Sequence, residues 1–222
     1  FEMLKMLQSM GVDRVTINPQ TMNSKTLERI GRNHDVNSII ESYTMAKDLD
    51  FKSINMDIIL GLPGEGIDEV AHTLNEIEKL DPENLTVHTL AIKRGSKLFN
   101  NKDHILREYK DITKMLELTK FKAREMGMAP YYLYRQKQIL GNLENIGYSK
   151  ANKECIYNIS MMEEKETIIG AGLGAVSKFY YPKENRIKRL PNYKDLKVYS
   201  DRIDELIIKK KKMISRKSSY SR

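Results

Sequence analysis

The chain has 222 residues, 40% of them apolar, with one cysteine and a formal charge of +8. This is the composition of a globular protein of one large domain or one and a half ordinary ones. It excludes a disulfide-stapled scaffold, and no apolar run approaches the roughly 18 residues that span a bilayer.

The charge is local. Lys209 to Arg222 hold seven basic residues and no acid, so the rest of the chain is near neutral. The charge therefore belongs to a Ser-rich end, expected to be a disordered, solvated tail over 209–222. Contact of that tail with RNA or anionic lipid is the alternative, and the neutral body argues against a nucleic-acid partner. No basic stretch followed by an apolar block marks a secretory signal, and the lone Cys155 fits a reducing cytoplasm.

The sequence opens at Phe1 inside a running amphipathic pattern (Phe1, Leu4, Leu7) without a cap, as expected of a piece of a longer protein. Three strand-then-helix units follow. The first strand is expected near Arg14–Asn18, with helices around Ser24–Ile30 and Asn37–Leu49. The second strand, Ser53–Leu60, alternates and then becomes continuously apolar, as a strand buried on both faces does. It stops at Gly61-Leu62-Pro63-Gly64, and a helix follows from about Asp68. The third strand is expected over Leu85–Ile92, before Arg94-Gly95-Ser96 and a charged helix from about Ile105 to Met126. Such alternation implies a parallel sheet, open or closed into a barrel. Three strands alone would leave a raw edge.

After Met128 the pattern changes. Ala129–Arg135 reads as a short aromatic strand, and Gly141–Tyr148 as a turn-rich loop. The small, apolar run Ile168–Ser177 precedes Lys178-Phe179-Tyr180-Tyr181, and Asn192–Ile208 reads as a terminal helix. The glycines of Gly170-Ala171-Gly172-Leu173-Gly174 fail the dinucleotide-binding spacing, and close packing is the expected use of these small residues.

In parallel β/α architectures ligands bind at the carboxyl ends of strands. Asp57 sits in a buried run, where a carboxylate needs a partner: ligand hydroxyls or a cation on one reading, a nearby Arg or Lys on the other. Gln20 suits a ribose or an amide, or caps its strand. Arg32, in a break between helices, suits a carboxylate or is an ordinary surface arginine. Gly61 and Gly64 admit a ligand close to the backbone or simply stop the strand. The third strand adds His88 and Thr89. The four histidines show no metal-ligand spacing, Cys155 reads as structural, and no catalytic side chain is assigned.

Gly11–Asn23 with Leu27 and Gly31-Arg32 resembles the fourth-strand motif of oxygen-independent coproporphyrinogen III oxidases, a radical S-adenosylmethionine family. Asn55–Glu65 resembles the fifth-strand motif. Pro130–Gln136 and Gly141–Tyr148 are similar to the coproporphyrinogen dehydrogenase branch, and the likeness extends over about residues 1 to 205. It implies an α/β fold, the second half of a partial (β/α)6 TIM-like barrel over 1–127, with an α+β substrate-side region over 128–208.

It also implies S-adenosylmethionine as cofactor, with Gln20 and Asp57 on the ribose, Arg32 on the methionine carboxylate, and Gly61 and the backbone of Ala91 beside the adenine. In such enzymes a [4Fe-4S] cluster, fed by an electron donor, reduces the cofactor to a 5′-deoxyadenosyl radical. That radical starts the decarboxylation of porphyrinogen propionates in haem biosynthesis. The cluster needs three closely spaced cysteines. With Cys155 alone, its ligands are expected outside this chain, and the chain by itself is expected to be inactive. A haem-binding or haem-delivering relative on the same scaffold is the competing reading.

Overall fold

Strand β2 (Ser53–Leu60) organises the first part of the chain, because its alternate residues meet different surroundings. Ile54, Met56, Ile58 and Leu60 are almost fully buried, while Asn55, Asp57 and Ile59 are half-buried. Burial on both faces was the expectation; instead one face packs under helices and the other carries polar groups. Each of the four buried side chains contributes about 1.5–3 kcal/mol on leaving water. A one-residue slip would exchange them for Asn55 and Asp57, so the register is firmly set.

The computed structural model describes residues 2–91, 111–135 and 139–219. It divides into two units, at Glu154 and Cys155. In the first, β1 (Arg14–Gln20) and β3 (Asn84–Thr89) flank β2, both parallel to it. The helices are α1 (Glu2–Ser9), α2 (Ser24–Arg29), α3 (Val36–Asp48), α4 (Ile67–Leu80) and α5 (Ile112–Glu125). Their apolar stripes, such as Ile39, Tyr43 and Ala46 of α3 or Val70, Leu74 and Ile77 of α4, join the strand residues in one core. Helix α3 is capped by Asp35, which accepts from the Ser38 backbone N–H at 2.8 Å. That bond holds the Asp35 carboxyl below its usual range. At the start of α4, Glu69 Oε2 accepts from the Gly66 N–H at 2.8 Å.

Strands β4 (Ala129–Tyr134) and β5 (Asn145–Ser149) extend the same sheet, in the order β1-β2-β3-β5-β4, with β5 antiparallel to both β3 and β4. This corrects two expectations. The stretch 141–148 is a short 3-10 turn, Leu140–Asn142, followed by a strand rather than a loop. The region from 128 onward is also not separate from the parallel strands, since the division falls after Glu154. Gly147 is the reason this strand does not show in the composition. By composition it breaks a strand, yet the Tyr132 ring lies where its Cβ would be, 1.8 Å away. The amino-terminal part of the charged helix (105–110), Ile92 and Arg94-Gly95-Ser96 fall outside the described residues.

The second unit holds α6 (Ile156–Glu163), a hairpin of β6 (Val176–Tyr181) and β7 (Arg186–Pro191), α7 (Leu196–Asp201) and α8 (Ile203–Ser219). Glu164 accepts from Lys178 at 2.7 Å and from Arg189 at 2.6 Å, tying the end of α6 to both strands. The single expected terminal helix is two, and α8 carries the basic stretch, expected to be unstructured, on to Ser219. Leu206 and Met213, seven apart, keep one apolar side, and Lys210 on the same side donates to the Gly170 carbonyl at 2.6 Å.

Candidate functional site

Three parallel strands end on one edge of the sheet, and four of the five expected site residues gather there. Gln20 closes β1 beside Ile58, one position beyond Asp57, across a register shift. It is 7% exposed, and its φ of 67° is left-handed. That backbone costs a residue with a Cβ about 1–2 kcal/mol, a strain typical of ligand-holding positions. Its Nε2 donates to the Asn18 carbonyl at 3.3 Å.

Asp57 lies on the half-buried face of β2. Oδ1 accepts a 2.6 Å bond from Asn55 Nδ2, and Oδ2 lies 3.8 Å from His88 Nε2. Among the described residues no Lys or Arg pairs with it. The side chain is 21% exposed and keeps free acceptor capacity.

Gly61 (φ 82°) turns the chain out of β2. The Gly61–Gly64 turn is covered by Arg29, whose Nη1 donates to the Pro63 carbonyl at 2.6 Å. Ala91 follows β3, half-buried, in a single bridge to Ile139. Next to it, the Leu90 N–H donates to the Leu60 carbonyl at 2.9 Å, which holds the ends of β2 and β3 together.

Arg32 sits apart from these four, on the α2–α3 connection after Gly31. It lines a pocket of about 270 Å³ with Ser24, Glu28, Asn33, His34, Asp35 and Ser38. It is exposed, and no carboxylate pairs with it among the described residues. His34 Nε2, in the same pocket, is buried without a hydrogen-bond partner. The exposed guanidinium suits an anionic group, and Glu28 and Asp35 in the same lining set the local charge against it.

Sequence reading missed the company Asp57 keeps. Thr86 lies opposite Asp57, and His88 opposite Ile59. The Tyr132 hydroxyl is 3.4 Å from Thr86 Oγ1, and the Tyr134 hydroxyl is 3.4 Å from His88 Nδ1. Burial pushes the Tyr132 hydroxyl up to about 12. The period of two in Asn55-x-Asp57 and Thr86-x-His88 carried this signal; the partners on β4 depended on an antiparallel pairing that no local pattern announces.

The radical SAM superfamily profile matches residues 1–77. The chain is 48% identical over 204 residues to the oxygen-independent coproporphyrinogen-III oxidase-like protein HemZ of Bacillus subtilis (strain 168), covering 91% of this chain and 41% of that protein. It is 27% identical over 178 residues to the heme chaperone HemW of the same organism, covering 78% of this chain and 43% of that protein. Its fold resembles that of coproporphyrinogen III oxidase (HemN) from Escherichia coli, with a TM-score of 0.62 at 18% identity, over 92% of this chain and 46% of that one. The chain thus spans less than half the length of these relatives. With a shared fold, the superfamily match over residues 1–77 and 48% identity along nearly its whole length, this chain is similar to the radical SAM, oxygen-independent coproporphyrinogen-III oxidase-like proteins.

Proposed function

We propose that this chain supplies the S-adenosylmethionine-binding strand ends of a protein that decarboxylates coproporphyrinogen III to protoporphyrinogen IX without oxygen, in haem biosynthesis. The 48% identity to an oxidase-like protein carries this reading, against 27% to a heme chaperone. In that reaction a propionate side chain gives up one hydrogen atom, one electron and carbon dioxide, and becomes a vinyl group.

The residues present fit S-adenosylmethionine. Asp57 has acceptor capacity for ribose hydroxyls, and Gln20 stands beside it on β1. Arg32, exposed on the α2–α3 connection, suits the methionine carboxylate. Gly61 and Ala91 offer backbone groups for the adenine. When bound, the cofactor supplies the hydrogen-abstracting chemistry, while these residues bind and orient it. A [4Fe-4S] cluster held by three cysteines does not fit this chain, which has one. The cluster's ligands, an electron donor and the porphyrinogen are therefore partners that this chain must receive from elsewhere. A cytoplasmic setting suits reducing chemistry, and no helix among the described residues is long and apolar enough to cross a membrane.

The test is a chimera that joins to this chain the part of the 48%-identical relative that this chain does not match. It is incubated without oxygen with S-adenosylmethionine, a reductant and coproporphyrinogen III. Protoporphyrinogen formation, lost in Asp57→Ala, is the expected result. Tight haem binding with no decarboxylation would put the haem-delivery reading in its place.

A further inference from the structure

The face of the sheet that carries Asp57 also carries a closed circuit of side chains to which cofactor binding has so far given no task. One arm starts at Asp57 Oδ1, which accepts from Asn55; Asn55 Oδ1 in turn accepts from Thr86 at 3.0 Å. The Thr86 hydroxyl lies 3.4 Å from that of Tyr132. The other arm starts at Asp57 Oδ2, 3.8 Å from His88 Nε2, and passes through Nδ1 to Tyr134 at 3.4 Å. The arms meet where Tyr132 and Tyr134 stack, with ring centroids 6.3 Å apart and planes 8° apart. Gly147 of β5 seats the stack, because any Cβ there would fall 1.8 Å from the Tyr132 ring.

A carboxylate held at one oxygen still turns about its last side-chain torsion, which is broad and nearly two-fold for Asp. Asn55 holds one oxygen of Asp57. The imidazole standing off the other oxygen limits that rotation, and the imidazole is itself held by a tyrosine on a different strand. Two acceptor directions, as a vicinal diol requires, are fixed only when both arms are in place.

We propose that His88 and Tyr134 are positioning residues that orient the Asp57 carboxylate for the ribose diol of a nucleoside ligand, and that Gly147 sets both by admitting the Tyr132 ring. The proposal rests on the reading of Asp57 as a ribose ligand. The antiparallel strands β4 and β5 thereby act on a site built from the parallel strands.

The experiment is a calorimetric titration of the full chain with S-adenosylhomocysteine, which needs no cluster chemistry. Asp57→Ala serves as the control for the underlying reading and should abolish binding. His88→Leu, Tyr134→Phe and Gly147→Ala should each weaken binding about tenfold, as the Asp57 carboxylate loses its fixed orientation. His88→Gln, which keeps a donor and an acceptor, should recover part of the loss. The double variant His88→Leu/Tyr134→Phe should be no weaker than His88→Leu alone, since both act through one imidazole. Nitrogen-15 spectra of the ligand-free chain give a second readout. Asp57→Ala and Tyr134→Phe should each move the ring signals of His88, as a merely structural role at a distance would not.

Binding that depends on Asp57 but is unchanged in His88→Leu and Tyr134→Phe overturns the proposal and leaves the ribose reading standing. No binding by the unmodified chain, or equal binding by Asp57→Ala, overturns the ribose reading and the proposal with it.

Discussion

Thr21 donates a 2.6 Å hydrogen bond to Oε1 of Glu65, and both side chains are buried. The same oxygen accepts from Asn23 Nδ2 at 3.0 Å, and Thr73 of α4 lies 3.1 Å from the Thr21 hydroxyl. Buried carboxylates persist only when so satisfied. This cluster fastens the segment after β1 to the turn after β2, immediately beside the left-handed Gln20.

Thr21→Val keeps the shape and removes the donor. It leaves a buried carboxylate oxygen with one bond fewer, and the expected loss is about 1.5–3 kcal/mol. Urea unfolding at neutral pH measures it through a lower midpoint at unchanged slope. A loss below about 0.5 kcal/mol would mean that water or Asn23 replaces the hydroxyl without cost.

How much of this is legible in the sequence follows from which forces act locally. Ser53–Leu60 is legible to both its ends because the alternation, the apolar run and the Gly-Pro-Gly stop all agree. Gln20, Asp57 and Gly61 stand out because a parallel sheet sends its loops to one edge. The strand Asn145–Ser149 is not legible, since Asn, Gly and Ser there serve a neighbour rather than their own propensity. Asn145 Oδ1 accepts from the Thr89 N–H at 2.8 Å, and Gly147 makes room for Tyr132. The Thr21–Glu65 cluster is equally hidden, because it joins residues 44 apart in sequence.

Alkaline stability should be limited by buried phenols. Burial holds the hydroxyls of Tyr43, Tyr132 and Tyr148 up to about 12. In the unfolded chain they ionise near 10. The folded state therefore keeps its protons where the unfolded state sheds them. The resulting stabilisation is complete below pH 10 and is lost as pH rises from 10 to 12. Absorbance at the phenolate band should show at least three of the 12 tyrosines titrating late, in step with loss of structure. The Tyr148 hydroxyl is buried without a hydrogen-bond partner. Tyr148→Phe should thus remove one late group and change neutral-pH stability by at most about 1 kcal/mol, toward greater stability.

Arg32 and Asp57 should separate binding from folding. Arg32 is exposed and pairs with no acid among the described residues, so Arg32→Ala should shift stability by no more than about 0.5 kcal/mol. If its guanidinium holds a methionine carboxylate, the same change should weaken S-adenosylhomocysteine binding about tenfold or more, with adenosine binding untouched. Asp57→Ala should abolish binding of both ligands alike. Equal losses for adenosine and S-adenosylhomocysteine in Arg32→Ala would remove Arg32 from the site.

Anaerobic treatment of this chain with iron and sulfide should yield no stable four-iron cluster. The only thiol is Cys155, half-buried before α6, and one thiolate cannot replace three. A brown product with a broad band near the visible edge that survives gel filtration, and that cleaves S-adenosylmethionine on reduction, would contradict this.

In the second unit the small residues between Ile168 and Ser177 should prove to be packing elements, and two glycines separate that idea from a need for backbone freedom. A Cβ on Gly170 would stand 2.8 Å from the backbone carbon and oxygen of Val176. Backbone cannot swing aside as a side-chain tip can, and the Gly170 N–H and carbonyl are engaged by Ser177 and Lys210. Gly170→Ala should therefore cost about 1–3 kcal/mol through forced shifts at the start of β6. Gly172 has φ 94° but nothing within 4 Å of a Cβ. Gly172→Ala should cost only about 1–2 kcal/mol of left-handed backbone strain. Thermal unfolding monitored at Tyr180 and Tyr181 gives the totals, and amide exchange at Val176–Lys178 tells the causes apart. Exchange there should quicken in Gly170→Ala beyond what its lower stability explains, and should track stability alone in Gly172→Ala.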